Sequence, residues 1–140
     1  MTESQVDCVR KLESEMFKMP QVNIPAHHTI HGGVYTRTVL VPAGVLIAGV
    51  LIKIPTTLIV AGDCEAFVGE GCTRLTGYHV LTASPHRKQA FLAYTDTYLT
   101  MLFKTTATTV AEAEEEFTDE SHILMSRKED VANYITITGE

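Results

Sequence analysis

"VYTRTVLVPAG", residues 34–44, is the stretch whose reading decides the fold. Val34 to Val41 is a run of β-branched and aromatic residues, the composition of a strand. Pro42 and Gly44 then stop it with the chemistry of a type II turn. The same texture extends on both sides, from Val22 to Thr105. Val45–Ile54, Thr57–Val60, Glu65–Val68, Thr73–Leu75, His79–Thr82, Ala90–Tyr94 and Tyr98–Lys104 are each expected as strands. The separators "AGD" (61–63), "GEG" (69–71), "LTGY" (75–78) and "SPH" (84–86) carry turn residues. Short strands at this spacing predict a sandwich or a small barrel. No helix-length segment lies between them, which argues against a parallel α/β sheet.

The two ends read differently. Residues 4–18 predict a helix, capped by Ser4 with Asp7 three residues on. Val6, Val9, Leu12, Met16 and Phe17 fall on one face at helical spacing, and Pro20 ends the run. Val110 to Phe117 returns to Ala- and Glu-rich helix, with Val110, Ala113 and Phe117 three and four apart. "YITIT" (134–138) alternates like a strand and is expected to pair with a sheet edge or a neighbouring chain. The expected organisation is an N-terminal helix (1–19), a β-barrel (20–107) and a C-terminal acidic helix and tail (108–140), all in one globular domain.

Composition sets the broad class. The chain has 140 residues, 45% of them hydrophobic, which suffices for a core without staples. A net charge of −6 argues against nucleic acid and anionic membranes as partners, since both select a basic face. Much of the acidity sits in Glu112, Glu114, Glu115, Glu116, Asp119 and Glu120, which reads as a solvated helix face. Cys8, Cys64 and Cys72 lack CxxC spacing and predict inert thiols in a reducing compartment. Met1 opens a polar segment, so no signal peptide is expected. Val45–Ile54 is too short to span a bilayer.

Several stretches taken in order carry a resemblance to a known superfamily. They are "GGVYTRTVLVPAG" (32–44), "GVLIKIPTTLIVAGD" (49–63), "HVLTASPHRKQAFLAYTDT" (79–97), "YLTMLFKT" (98–105) and the acidic "VAEAEEEF" (110–117). In this order they resemble the cupins, whose fold is an all-β double-stranded β-helix, or jelly-roll barrel. More narrowly, the chain is similar to small cupin-like proteins of tailed bacteriophages and prophages. Pro20-Gln21-Val22, His28, Gly33-Val34-Tyr35-Thr36-Arg37, Pro42-Ala43-Gly44, Ser84-Pro85 and Asp96-Thr97 carry that likeness over residues 20–117.

Metal cupins hold a divalent ion through two His, a Glu and a further His, a set suited to first-row metals. The resemblance places the corresponding positions, to within one residue, at Val50, Ile52 and Thr56, then Ala90 or Phe103. None offers an imidazole or carboxylate, so no metal and no cofactor is expected there. The resemblance instead implies a barrel interior packed with apolar side chains, each contributing about 1.5–3 kcal/mol on burial.

Other polar groups are candidates for ligand binding. His28 heads them, within the cluster His27, His28 and His31, which reads as a polar approach to the first barrel strand with Gly32-Gly33 making the bend. Tyr35, Arg37, Lys53, Tyr94 and Asp96 are polar handles on strands, with Arg37 and Asp96 an expected pair. His79 and His86 complete the set, and "SPHRKQ" (84–89) reads as a solvated basic turn. No residue is assigned a catalytic role. The leading expectation is a non-catalytic, oligomeric structural or binding component of a virion or of the infected cell's cytoplasm. A homodimer is the default because two-fold closure is the commonest symmetry, with a trimer as the variant for a virion. A virion or host protein is the partner class expected beyond the chain itself. The competing expectation is a small isomerase- or lyase-type cupin enzyme using His28, His79, His86 and Tyr94.

Overall fold

A computed structural model describes residues 1–68 and 71–138. Its elements are a helix α1 (Glu3–Met16) and strands β1 (Ala26–His31), β2 (Val34–Val41), β3 (Leu46–Ala48), β4 (Thr56–Val68), β5 (Gly71–Ala83), β6 (Ala90–Ala93) and β7 (Thr97–Lys104). Helix α2 (Val110–Phe117), two short 3-10 turns and strand β8 (Asn133–Ile137) complete the chain. The strands form one curled mixed sheet in the order β3-β6-β4-β7-β2-β1-β8, with β5 on the far side of β4. This is the jelly-roll expectation realised as an open half-barrel with a helix near each end.

The curl has a local cause. On one side, β4 pairs with β7 through Thr57–Ala61 and then with β6 through Cys64–Phe67. The hand-over falls at Gly62, whose φ is +148° and whose α-carbon lies against the start of β7 at Thr97. Gly77, with φ +89°, stands opposite Gly62 in the β4–β5 register. Two facing glycines let both strands bend together where side chains would resist. "AGD" and "LTGY" therefore mark a bend within two long strands rather than turns between four short ones. The "GEG" turn lies largely outside the described residues.

Other boundaries also moved. "HHTIH" is itself strand β1 rather than an approach to one, pairing residue for residue with β2. Gly32 and Gly33, with φ of +60° and +75°, form the two-residue hairpin between them, as a type I′ turn requires. At the other end of β2 the turn is closed by Val45 N–H to Pro42 O, with Gly44 at φ +83° in the third place. Asp96 accepts from the Ala43 amide in that turn. Of Val45–Ile54, only Leu46–Ala48 joins the sheet, and Ile52 makes an isolated bridge to Arg87. Helix α1 starts one residue earlier than expected because Thr2, not Ser4, is its cap, in a reciprocal capping box with Gln5. "YITIT" becomes β8, paired in parallel with β1.

Two apolar clusters hold the half-barrel. Ile30, Tyr35, Met101, Phe103, Ala113, Phe117 and Leu124 join the β1–β2–β7 side to α2. Val41, Leu58, Val60, Cys64, Phe91, Ala93 and Leu99 fill the β4–β6 side. Helix α1 docks through buried Val6 and Val9, and through the buried Lys88 ammonium, which reaches Glu13 at 3.2 Å and Gly49 O at 2.8 Å. Phe17, at the end of the predicted apolar stripe, is 66% exposed.

Candidate functional site: the concave cavity

Alternation along the strands puts two kinds of residue on the concave face. Tyr35, Arg37, Val39 and Val41 point inward from β2, and Leu58 and Val60 from β4. Leu99, Met101 and Phe103 do so from β7. Arg37, Val39, Leu58, Leu99 and Met101 among them border a cavity of about 690 Å³, closed on other sides by the 44–52 segment, Phe117, residues 123–126 and the chain after α1. The expectation of a filled barrel is therefore corrected. Backbone bonds hold the 44–52 segment to residues 87–93 at the end of the sheet, and its apolar side chains line the space together with those of the strands.

Two guanidinium groups stand in these apolar walls. Arg37 is mid-strand and paired, though not with Asp96. Its Nη1 donates to Glu114 Oε2 at 3.0 Å and its Nη2 to Ser126 Oγ at 3.1 Å. Glu114 is 3% exposed and also accepts from Arg127 Nε at 2.8 Å. Burial alone would raise the Glu114 carboxyl, but hydrogen bonds from Ser126 and Arg127 and the charge of Arg37 hold it below the usual carboxylate range. Glu114 thus leaves the solvated acidic face assigned to its helix and anchors Arg37.

Arg87 is different. It is 4% exposed. Its Nη1 donates to Ser84 O at 2.7 Å and Ile54 O at 3.2 Å, and its Nη2 donates to Thr56 Oγ1. No carboxylate pairs with it among the described residues. Its Nε is buried with no acceptor in the described protein. Burial draws its pKa down to about 10, which leaves it protonated at neutral pH. The solvated basic turn expected at 84–89 is wrong for both Arg87 and Lys88. His86 alone faces water, at φ +58°, bonded to Glu3 Oε1 at 2.7 Å.

Two of the positions that the resemblance gives to metal ligands lie beside this cation. Ile52 exchanges both backbone bonds with Arg87, and Thr56 accepts from its guanidinium. Val50 and Ala90 are buried, and Phe103 packs on Tyr35 and Phe117. These residues do not fit a metal: they present aliphatic and aromatic groups and a fixed positive charge. Among the described residues no three His, Cys, Asp or Glu side chains come together to hold one.

His28 is buried in a satisfied relay. Asn133 Nδ2 donates to Ser126 O, which leaves Asn133 Oδ1 to accept from His28 Nε2 at 2.7 Å. The neutral ring then accepts at Nδ1 from Tyr35 Oη, 2.7 Å away, and Tyr35 in turn accepts from Arg37 Nη1 at 3.4 Å. Burial lowers the His28 pKa, with Arg37 and His27 adding to it against the opposing pull of Asn133 and Glu114. A proton on Nδ1 would turn two donors on the Tyr35 oxygen and leave its hydroxyl hydrogen without an acceptor. Since the folded pKa lies below the unfolded value near 6.5, the unfolded chain binds more protons in that window. The His28 contribution is therefore complete above about pH 6.5 and lost as pH falls through the folded pKa. Urea midpoints measured from pH 7.5 down to 5 should decline, and His28→Gln should flatten the decline; an equally steep decline in the variant would contradict this role.

The remaining candidates are dispersed. Lys53 points to water and pairs with Asp119 at 2.7 Å. His79 bonds Thr76 O on the exposed strand β5. Tyr94 lies under Arg74, which grips Asp63 through both Nε (2.6 Å) and Nη2 (2.8 Å). Asp96 serves the Pro42–Val45 turn. The structure thus joins His28, Tyr35 and Arg37 into one network but does not bring His79, His86 or Tyr94 to it. Arg87, the residue that sequence reading missed, lies three residues past Ser84 with no local signal of burial. One acceptor is the nearby Ser84 carbonyl, but the Ile54 carbonyl and the Thr56 hydroxyl come from more than thirty residues away.

No protein-family model matches the chain, and no curated protein is similar to it in sequence. Solved structures are similar in fold. Ectoine synthase from P. lautus superposes with a TM-score of 0.52 at 16% identity, over 70% of this chain and 75% of that one. Salicylate 1,2-dioxygenase from Pseudoaminobacter salicylatoxidans, bound to gentisate, gives 0.52 at 14% identity, over 79% of this chain and 33% of that longer one. A cupin superfamily protein from Desulfitobacterium hafniense gives 0.48 at 11% identity, over 62% and 82%. At these identities the likeness is one of fold, the cupin-type jelly roll, and fold leaves activity open.

Proposed function

We propose that this protein is a non-catalytic, oligomeric binding component that carries a small ligand in its concave cavity. The observation that carries the reading is the composition of the cavity wall. Its volume of about 690 Å³ lies in the range of small-molecule sites, roughly 300–1,000 Å³. Its walls are mainly aliphatic and aromatic, and the cations set into them away from water, Arg37 and Arg87, are arginines, which stay protonated and cannot exchange protons with a substrate at neutral pH. The isomerase or lyase reading has no comparable support, because its four residues lie apart.

Assembly belongs to the same proposal. Leu40, Tyr98, Ala61 and Tyr78 stand side by side across four strands on the convex face. Tyr98, Tyr78 and the next-row Val80 are 53%, 68% and 60% exposed. A second copy of the chain would cover this face. The narrower phage-type assignment, as part of a virion or of the infected cell, rests on the motif order over residues 20–117. Analytical ultracentrifugation with the neutral apolar dye Nile red tests both parts. The expected result is an oligomer with co-sedimenting dye; a monomer sedimenting without dye overturns the reading.

A further inference from the structure

The geometry points to Arg87 as the anchor for the carboxylate of a small amphiphilic ligand whose apolar body fills the cavity. This rests on the binding reading above and names the ligand class.

Three observations converge. The first is the unused edge of a buried cation. A guanidinium has five N–H donors in a rigid fork. In Arg87 the two Nη1 donors and one Nη2 donor meet oxygen. The Nε–H has no acceptor, and the second Nη2 hydrogen has at best the Met101 sulfur at 4.0 Å. An Nε–Nη2 edge is the one this same chain uses in Arg74 to hold both oxygens of Asp63. A ligand carboxylate would be taken in the same two-pronged way.

The second is charge. The charged side chains bordering the cavity are Glu13, Arg37, Arg87 and Lys128. Glu13 is neutralised by Lys88, Arg37 by Glu114, and Lys128 is exposed to water. Arg87 remains, a buried charge with no counter-ion among the described residues, in a chain of net charge −6. An unpaired buried cation is costly, and an anion arriving beside it relieves that cost. The third is the apolar wall. Val39, Leu58, Phe91, Leu99 and Met101 surround the space. They favour a carboxylate that carries a hydrocarbon or aromatic body over a bare inorganic anion.

Displacement of Nile red from the full chain by octanoate, octanol and inorganic phosphate tests the assignment. Octanoate should compete roughly ten- to hundredfold more tightly than octanol, the range expected of hydrogen bonds to a charged group. Phosphate should leave the dye in place. Arg87→Met should remove most of the octanoate preference while octanol binds as before, and Arg87→Lys, which keeps the charge but not the edge, should fall between. Equal competition by octanoate and octanol in the wild type overturns the carboxylate assignment and leaves the binding reading standing. So does displacement by phosphate as effective as that by octanoate. A preference that survives in Arg87→Met overturns the role of Arg87. Dye that binds elsewhere or not at all, with no competition by either octyl compound, overturns both readings. The wild-type comparison decides the ligand class even where Arg87→Met fails to fold.

Discussion

Replacing Glu114 with Ala should destabilise the protein by about 3–5 kcal/mol, the range for breaking a buried ion pair from one side. The carboxylate is 3% exposed and receives Arg37, Arg127 and Ser126 at once. Arg127 can turn to water when it is gone. Arg37 cannot, because its side chain is only 14% exposed and starts mid-strand on the concave face. Its charge would be left against Tyr35 and the Phe117 ring, whose centroid is 5.8 Å away. Urea denaturation reads the loss directly. Below about pH 4.5 the wild type should approach the variant, because a carboxyl with a lowered folded pKa gives up its contribution as pH falls through that value. A variant within 1 kcal/mol of wild type, on the order of a surface pair, would mean that Glu114 is solvated as its helix composition suggests.

Gly62→Ala should cost roughly 2–4 kcal/mol, from overpacking and backbone strain together. A β-carbon there would lie 2.5 Å from Thr97 Oγ1 and 2.8 Å from Thr97 Cα. The backbone atom cannot step aside without moving the start of β7. Gly77→Ala is the control. Its φ of +89° is also left-handed, but an added β-carbon there meets nothing within 4 Å. It should cost only the conformational strain, about 1–2 kcal/mol. Thermal melts of both variants separate the two effects; equal losses would remove the close approach as the reason for glycine at 62.

These residues also show where sequence reading reaches its limit. Strand β2 and helix α2 were legible to the residue, because each has one period and clear stops. The strands β4 and β5 were not. Gly62 and Gly77 look like turn residues in isolation, and only the register that sets them face to face shows a shared bend. Val45–Ile54 has strand composition, but a strand also needs an unbroken ladder, and this comes only at Leu46–Ala48, with the single Ile52–Arg87 bridge beyond it. At the site, the inward alternation of Tyr35 and Arg37 was readable from β2. Their partners were not, since Glu114 lies 77 residues from Arg37 and Asn133 lies 105 from His28. Arg87 was least legible of all. A charged residue beside Ser-Pro-His reads as solvated, and nothing nearby announces that carbonyls from 54 and 84 will bury it.

The central claim is that the half-barrel's concave face, with Arg87 in its wall, is where this protein binds. Isotope-filtered NMR of the labelled protein with unlabelled octanoate tests it most directly. The account predicts contacts from the octanoate chain to the methyl groups of Leu58, Leu99 and Met101, and a shift of the Arg87 Nε–H resonance on binding. Contacts confined to Leu40, Tyr78 and Tyr98 on the convex face, with the Arg87 resonance unmoved, would contradict it.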